Sequence, residues 1–302
     1  MEFGRAEPSA IRYIDFSLPA DGRITSRTLP GDPSPSGCQF HVGLAKWGRK
    51  EWVGDFYPPN TRERDFLTEY AKRVDSIELN AAFYSIPEPR SVRRWKEQVD
   101  GSGNKNFLFF PKVSRSISHI HRLKDCGLLV KQFLEAMSEL KEYQGPSFLQ
   151  LSENFSSENY ERLVTFLQAW PLGHKLFLEV RHASWYSDEI ERGRLFDLLA
   201  KHEVGSVMSD ASARRDCVHM ELPTPELFIR FIGNGGHHAN SDFARVDEWI
   251  DRILIWVEKG LEQVNFFCHQ HDEVASHELG IYVTEQFNKR LDAGLREISL
   301  IR

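Results

Sequence analysis

The sequence predicts an α/β protein of the (β/α)8 TIM-barrel class, with a degenerate sixth helix and an extended N-terminal arm. Three observations predict it. Eight short runs rich in β-branched and aromatic residues occur at 40–44, 76–80, 107–110, 147–151, 176–180, 205–208, 227–231 and 264–268. Their starts fall roughly 22 to 40 residues apart over about 250 residues, the arithmetic of eight β/α units closing on themselves. The runs are continuous rather than alternating in polarity, as strands buried on both faces must be, and the gaps between them leave room for parallel crossovers.

Ahead of the first run, the chain is rich in Pro, Gly, Ser and Asp, with Pro30, Gly31, Asp32, Pro33, Ser34, Pro35, Ser36 and Gly37 in succession. That composition starves a packed core, so the expected division is an extended arm over 1–37 and a single barrel domain over 38–302. Segments with helical spacing and surface charge fill the gaps at 62–73, 90–99, 125–143, 157–170, 188–202 and 242–259, and a last one at 276–291 follows the eighth run. Between Met208 and Leu227 there is no room for a full helix, because Pro223 and Pro225 stand in a polar stretch. This is the degenerate sixth position. An open doubly wound sheet would place a glycine-rich phosphate turn after its first strand; Ala45, Lys46 and Trp47 stand there instead.

Lys and Arg number 38 against 44 Asp and Glu, a net charge of −6. The balance excludes a protein that coats nucleic acid or anionic membrane, since such partners are held by a dominant basic face. A small anionic molecule in a cleft is the expected partner; extended nucleic-acid binding is not expected. No stretch of about 18 uncharged apolar residues occurs, so no membrane-spanning helix is expected, and Glu2, Arg5, Glu7, Arg12 and Asp15 interrupt any signal peptide. Cys38, Cys126, Cys217 and Cys268 are scattered without a CxxC pair, which fits a reducing compartment and a cytoplasmic location.

In a barrel of this kind the reactive groups gather at the C-terminal ends of the strands. The second run reads Ile77-Glu78-Leu79-Asn80 and the fifth Leu178-Glu179-Val180-Arg181, and a period of two puts each polar pair on one face. A carboxylate inside an apolar strand is costly unless paired, so Glu78 and Glu179 mark either an ion-pair network or tuned acid/base groups. Lys112 follows four apolar residues, a setting that lowers an amine pKa or presents a cation to an anion; a lysine snorkelling to solvent has the same signature. His119 in the following loop is a candidate acid/base or a loop anchor. Gln150, Asp210 and Arg230 stand at or just beyond the fourth, sixth and seventh runs.

Three further features carry two readings each. The loop Gly233-Asn234-Gly235-Gly236 either holds an anion on its amides or is a flexible surface turn. His269, His271 and Asp272, with Glu78, Glu179 or Asp210, are chemically adequate for a divalent metal, but His-x-His is the only local signal, so no metal residue and no cofactor is assigned. Cys268 reads as a packed thiol rather than a nucleophile. The aromatic group Trp47, Trp52, Phe56, Tyr57, Phe83, Tyr84, Trp185 and Tyr186 is either lid packing or a platform for a sugar or base.

The ordered blocks Trp47…Trp52-Val53-Gly54-Asp55-Phe56-Tyr57-Pro58, Ile77-Glu78-Leu79-Asn80-Ala81-Ala82-Phe83-Tyr84-Ser85-Ile86-Pro87, Phe110-Pro111-Lys112 with Ile117-Ser118-His119, Leu149-Gln150-Leu151, Glu179-Val180-Arg181-His182-Ala183-Ser184-Trp185 and Ile229-Arg230-Phe231 resemble the domain-of-unknown-function 72 family, also called YecE-like. The resemblance runs from Phe40 to the last helix. It implies a TIM barrel and carries no activity with it. By this resemblance the mouth residues fall on Glu78, Asn80, Lys112, His119, Gln150, Glu179, Arg181, Trp185, Asp210 and Arg230. The chain departs from the family in two places: Arg230-Phe231-Ile232-Gly233 replaces Arg-Leu-His-Gly, and Cys268-His269-Gln270-His271 stands where many relatives carry asparagines.

The function expected is acid/base chemistry, by a hydrolase or lyase, on a small anionic substrate of the phosphorylated-sugar or nucleotide kind. Glu78, Glu179, Lys112 and His119 are the candidate catalytic residues, with Glu179 or Glu78 carrying the proton. Asn80, Gln150, Arg181, Trp185, Asp210, Arg230 and Trp47 are the candidate substrate contacts. A non-catalytic ligand-binding or scaffold protein and a metal-dependent hydrolase are the alternatives.

Overall fold

Strands β1 (Gln39–Leu44), β2 (Ser76–Leu79), β3 (Leu108–Pro111), β4 (Ser147–Gln150), β5 (Leu176–Glu179), β6 (Gly205–Asp210), β7 (Glu226–Gly233) and β8 (Gln263–Gln270) form one parallel sheet in the order β3-β2-β1-β8-β7-β6-β5-β4 in a computed structural model of the chain. The structure describes residues 3–29, 31–271 and 273–301, the side chain of residue 237 apart. The two ends of the sheet meet: Lys112 bridges Phe148, and the Val113 N–H donates to the Phe148 carbonyl at 2.8 Å, giving a nearly closed barrel. β1, β6, β7 and β8 cover their predicted runs, the last three going on by two residues toward the mouth, and β2 to β5 match theirs to within one residue at either end.

The barrel is wrapped by α2 (Phe66–Ala71), α3 (Ala81–Tyr84), α4 (Pro89–Ser102), α5 (Gly127–Met137), α6 (Tyr160–Ala169), α7 (Glu189–Lys201), α8 (Ala239–Glu258) and α9 (Ser276–Leu291). Between β6 and β7 only a 3-10 turn, Arg215–Cys217, remains of the sixth helix, as the prolines require. Among the described residues no helix is long and apolar enough to cross a membrane.

The strand pleat decides what fills the interior, because alternate residues point inward. Phe110, Phe148, Phe177, Val207, Phe228 and Phe267 form a separate apolar cluster inside the barrel, with the Phe110 and Phe267 ring centroids 4.9 Å apart. One inward step nearer the mouth, on the same strands or the residue just past them, stand Lys112, Gln150, Glu179, Ser209, Arg230 and His269, all buried. The site is therefore a polar layer laid on an aromatic floor.

The N-terminal arm is irregular, as its composition foretells, with only a 3-10 turn at Ile11–Tyr13 and α1 (Arg23–Thr28). It is packed rather than solvated: Phe3, Ile11, Ile24 and Leu29 are buried. These apolar residues precede the proline-rich stretch, which is why the composition of that stretch did not announce them. Helix α1 is anchored through Glu221, whose carboxylate accepts the Ile24 N–H at 2.8 Å, and through Thr25, whose hydroxyl donates to the Met220 carbonyl at 2.8 Å.

Candidate functional site

Arg230 is the hub of the mouth. Its guanidinium, fully buried, donates from Nε and Nη2 to the two oxygens of Glu78 at 2.9 Å each and from Nη1 to Glu179 Oε2 at 2.9 Å. A planar guanidinium fork suits such a pair of carboxylates, and a buried charge tolerates burial only when its hydrogen bonds are answered in this way. Arg230 Nη1 also reaches Gln150 Oε1 at 3.3 Å, and Lys112 Nζ donates to the same oxygen at 2.8 Å. Glu179 Oε1 takes further bonds from Arg181 Nε at 2.6 Å and Ser209 Oγ at 3.0 Å. Asn80 Nδ2 donates to Glu78 Oε1 at 2.8 Å.

The sequence-predicted residues Glu78, Asn80, Lys112, Gln150, Glu179, Arg181 and Arg230 thus converge on one hydrogen-bonded network. His119 stands beside it: its ring packs edge-on against Phe83 at 5.2 Å, and the Phe83 ring lies 4.2 Å from Lys112 Nζ. Lys112, Gln150 and Arg181 each keep 6% of their surface exposed, whereas Glu78 and Arg230 keep none, so all are buried and the first three are the less completely covered.

Two of the expected contacts, Asp210 and Trp185, lie elsewhere. Asp210 is buried behind the barrel, accepting from Arg245 Nη2 at 2.6 Å, from Trp249 Nε1 at 2.7 Å and from Arg215. The pleat explains it: Val207 and Ser209 face inward on β6, so Asp210 faces the helices. Trp185 is buried with its Nε1 donating to the Phe155 carbonyl at 2.7 Å. Trp47 packs edge-on against Trp95 at 6.1 Å. Trp52, Phe56 and Tyr57 form a buried group with one another, so packing rather than a stacking platform explains these aromatics.

Three members of the site were not among the expected catalytic or substrate residues. Ser209 and His269 were legible as the inward positions following Val207 and Phe267. His269 Nε2 lies 2.9 Å from Glu78 Oε2 and its Nδ1 3.4 Å from Glu273 Oε1. Glu273 comes from the loop after β8, where no periodicity marks it. His269 therefore belongs to the Glu78 ion network; among the described residues no three His, Cys, Asp or Glu side chains are grouped to hold a metal, and Asp272 lies outside the described residues. The glycine loop after β7 is also accounted for: the Asn234 and Gly235 amides donate to the Asp242 carboxylate at 3.0 and 2.8 Å, so the chain's own anion fills that cradle.

The electrostatics separate the carboxylates from the amine. Burial alone raises Glu179, but Arg181, Arg230 and Lys112 outweigh it and hold the carboxyl at about 2. Burial likewise opposes Glu78, which Arg230 and His269 keep well below the usual carboxylate range. Lys112 is pushed down to about 7, first by burial and then by the positive charge of Arg230, against the pull of Glu78 and Glu179. His119 falls to about 4 through burial and the charges of Lys112 and Arg181. For His269 burial is outweighed by Glu78, and its pKa rises. The carboxylates stay anionic at neutral pH, while burial and Arg230 bring Lys112 into the neutral range.

Fold and site define a TIM-barrel protein whose mouth is crossed by a buried Arg-centred ion network. A family model described as protein of unknown function DUF72 matches residues 41–298, and the chain belongs to that family. It is 28% identical over 270 residues to the UPF0759 protein YecE of Escherichia coli, in strains O157:H7 and K12, covering 83% of this chain and 94% of the relative. Crystal structures of DUF72 family proteins share the fold. One from Enterococcus faecalis V583 has 18% identity and a TM-score of 0.64, covering 84% of this chain and 96% of that one. Another from Thermotoga maritima MSB8 has 18% identity and a TM-score of 0.61, covering 84% of this chain and 99% of that one. The expected arm, residues 1–37, precedes the matched stretch.

Proposed function

We propose that the barrel mouth performs acid/base chemistry on a small anionic substrate of the phosphorylated-sugar or nucleotide kind, with Lys112 as proton carrier and Arg181 as the anion's contact. One observation carries this reading: a buried amine held at about 7, within a pre-formed hydrogen-bonded network at the C-terminal ends of the strands. A general acid/base works best with its pKa near the operating pH. Glu78 and Glu179, kept ionised by Arg230, orient that guanidinium and tune Lys112; the proton-carrier role first expected of them passes to the amine. His119, neutral near pH 7, lies beside Phe83 at the same rim. We place this chemistry in the cytoplasm, a reading supported by the four cysteines, all free thiols.

The test is turnover of a panel of sugar phosphates, nucleotides and phosphorylated acids by wild-type protein and by Lys112→Gln. Wild type is expected to convert at least one member, and K112Q to lose roughly 10²- to 10⁴-fold in kcat with its fold intact. A folded wild type that converts no panel member overturns the enzymatic reading. A second reading, a ligand-binding protein, is favoured by the full pairing of both carboxylates with arginine. It predicts thermal stabilisation by a panel member that mass spectrometry then recovers unchanged.

A further inference from the structure

The N-terminal arm reaches the network at Arg181. The buried Phe3 ring lies on the Arg181 guanidinium, 3.7 Å from its carbon to the ring centroid, with Arg214 5.1 Å away. The backbone is drawn in close to seat it. The Gly4 carbonyl accepts the Ala213 N–H at 2.9 Å, and Gly4 has φ +68°, at a point where a Cβ would stand 2.3 Å from the Ala211 Cβ. Only glycine meets both conditions without strain.

The same guanidinium is incompletely satisfied at its edge. Nε is bonded to Glu179, and Nη1 is 3.8 Å from Glu153. Nη2 is buried with no hydrogen-bond partner among the described residues. A buried N–H left unanswered costs stability unless something else answers it. Arg181 thus offers a stacking face, now taken by an aromatic ring, and an unanswered donor at its rim, with Lys112 in the same network. A flat ring on the guanidinium face and a negative group on its edge is how arginine holds an aromatic anion.

We propose that Phe3 is a resident stand-in for the ring of a small aromatic anion, an aryl phosphate or nucleotide, and that the arm lifts off Arg181 when this ligand binds. The proposal rests on the anion reading of the mouth given above and adds the ring and the gate. The arm precedes the stretch that the family model matches, so the gate lies outside the matched residues.

Two measurements on wild type, Phe3→Ala and Phe3→Lys test it. The first is the rate at which phenylglyoxal modifies Arg181, mapped by peptide mass spectrometry against the exposed Arg64. The second is calorimetric binding of phenyl phosphate and of inorganic phosphate. Both variants are expected to label Arg181 at least about fivefold faster, as local opening allows. F3A is expected to bind phenyl phosphate about tenfold more tightly than wild type, because the competent state no longer has to be released. In F3A, phenyl phosphate should also exceed inorganic phosphate in affinity. F3K, repelled by Arg181 and Arg214, frees the arm by charge, and circular dichroism reports whether either variant keeps the barrel. Equal labelling in three folded proteins overturns the gate. Equal affinity of F3A for both phosphates overturns the ring subsite. Faster labelling with neither phosphate bound overturns the aromatic-anion assignment together with the anion reading beneath it, while the gate survives.

Discussion

At the scale of the residue, Lys112 shows how a barrel mouth trades stability for chemistry. Its amine has an ordinary value of 10.5 and a folded value of about 7. The unfolded chain therefore holds this proton more tightly than the folded one, and protonation opposes folding. The penalty is absent above pH 10.5, grows as pH falls, and is fully present below pH 7. Lys112→Met removes it. The variant is expected to be more stable than wild type at pH 6 by up to a few kcal/mol, since each unit of pKa separation is worth about 1.4 kcal/mol. The gain should shrink toward pH 10. Urea denaturation at both pH values measures it, and parallel pH profiles for the two proteins would refute the lowered amine. The same substitution removes the proton carrier, so a gain in stability and a loss of turnover are expected together, as at other sites where function holds a group in an unfavourable state.

At the scale of the element, the pleat of a strand explains both what was legible and what was not. Eight apolar runs announced the strands, and counting in twos along β2 and β5 put Glu78 with Asn80 and Glu179 with Arg181 on the barrel's inner side. Asp210 was misplaced because the sixth run was ended at Met208, so its parity relative to Val207 went uncounted; β6 in fact reaches Asp210. Trp185 was misplaced for another reason. It sits in a 3-10 turn, where no period tells which way a ring points. The arm's burial was beyond reach because the surface that receives Phe3 is made by Arg181 and Arg214, far along the chain. The corrected position of Asp210 makes a prediction for β6 and α8. Asp210→Ala strips Arg245, itself 2% exposed, of its closest carboxylate and Trp249 of its acceptor. Arg245 keeps Asp242 at 3.2 Å, so the expected cost is about 3 kcal/mol, the lower end of what breaking a buried pair costs. Chemical denaturation of D210A should show that loss, and a cost under about 1 kcal/mol would mean the pair is solvated in solution as surface pairs are.

At the scale of the whole molecule, the site and the closure of the barrel are one problem. Between β7 and β8 the ladder runs from Glu226 paired with Gln263 to Gly233 paired with Gln270, but β3 and β4 meet through little more than the Lys112 to Phe148 bridge. The Val113 amide on the Phe148 carbonyl and the Gly145 amide on the Phe109 carbonyl, both 2.8 Å, are what the backbone adds there. Side chains make up the difference. Lys112 on one bank of the seam donates to Gln150 on the other, and Gln150 is held in turn by Arg230 from across the barrel. The groups proposed to bind and turn over a ligand are thus also the clasp of the sheet, and loosening the clasp should open the seam before anything else. In native-state hydrogen exchange the Val113 amide is expected to exchange faster than those of Ile229 and Phe231 within β7. Gln150→Leu leaves Lys112 without its acceptor across the seam. It should speed Val113 by about a further tenfold, the worth of one charge-assisted hydrogen bond, while leaving the β7–β8 ladder unchanged. If all the strands instead sped up equally, the barrel would be opening as a unit, and the mouth network would hold a site without also closing the fold.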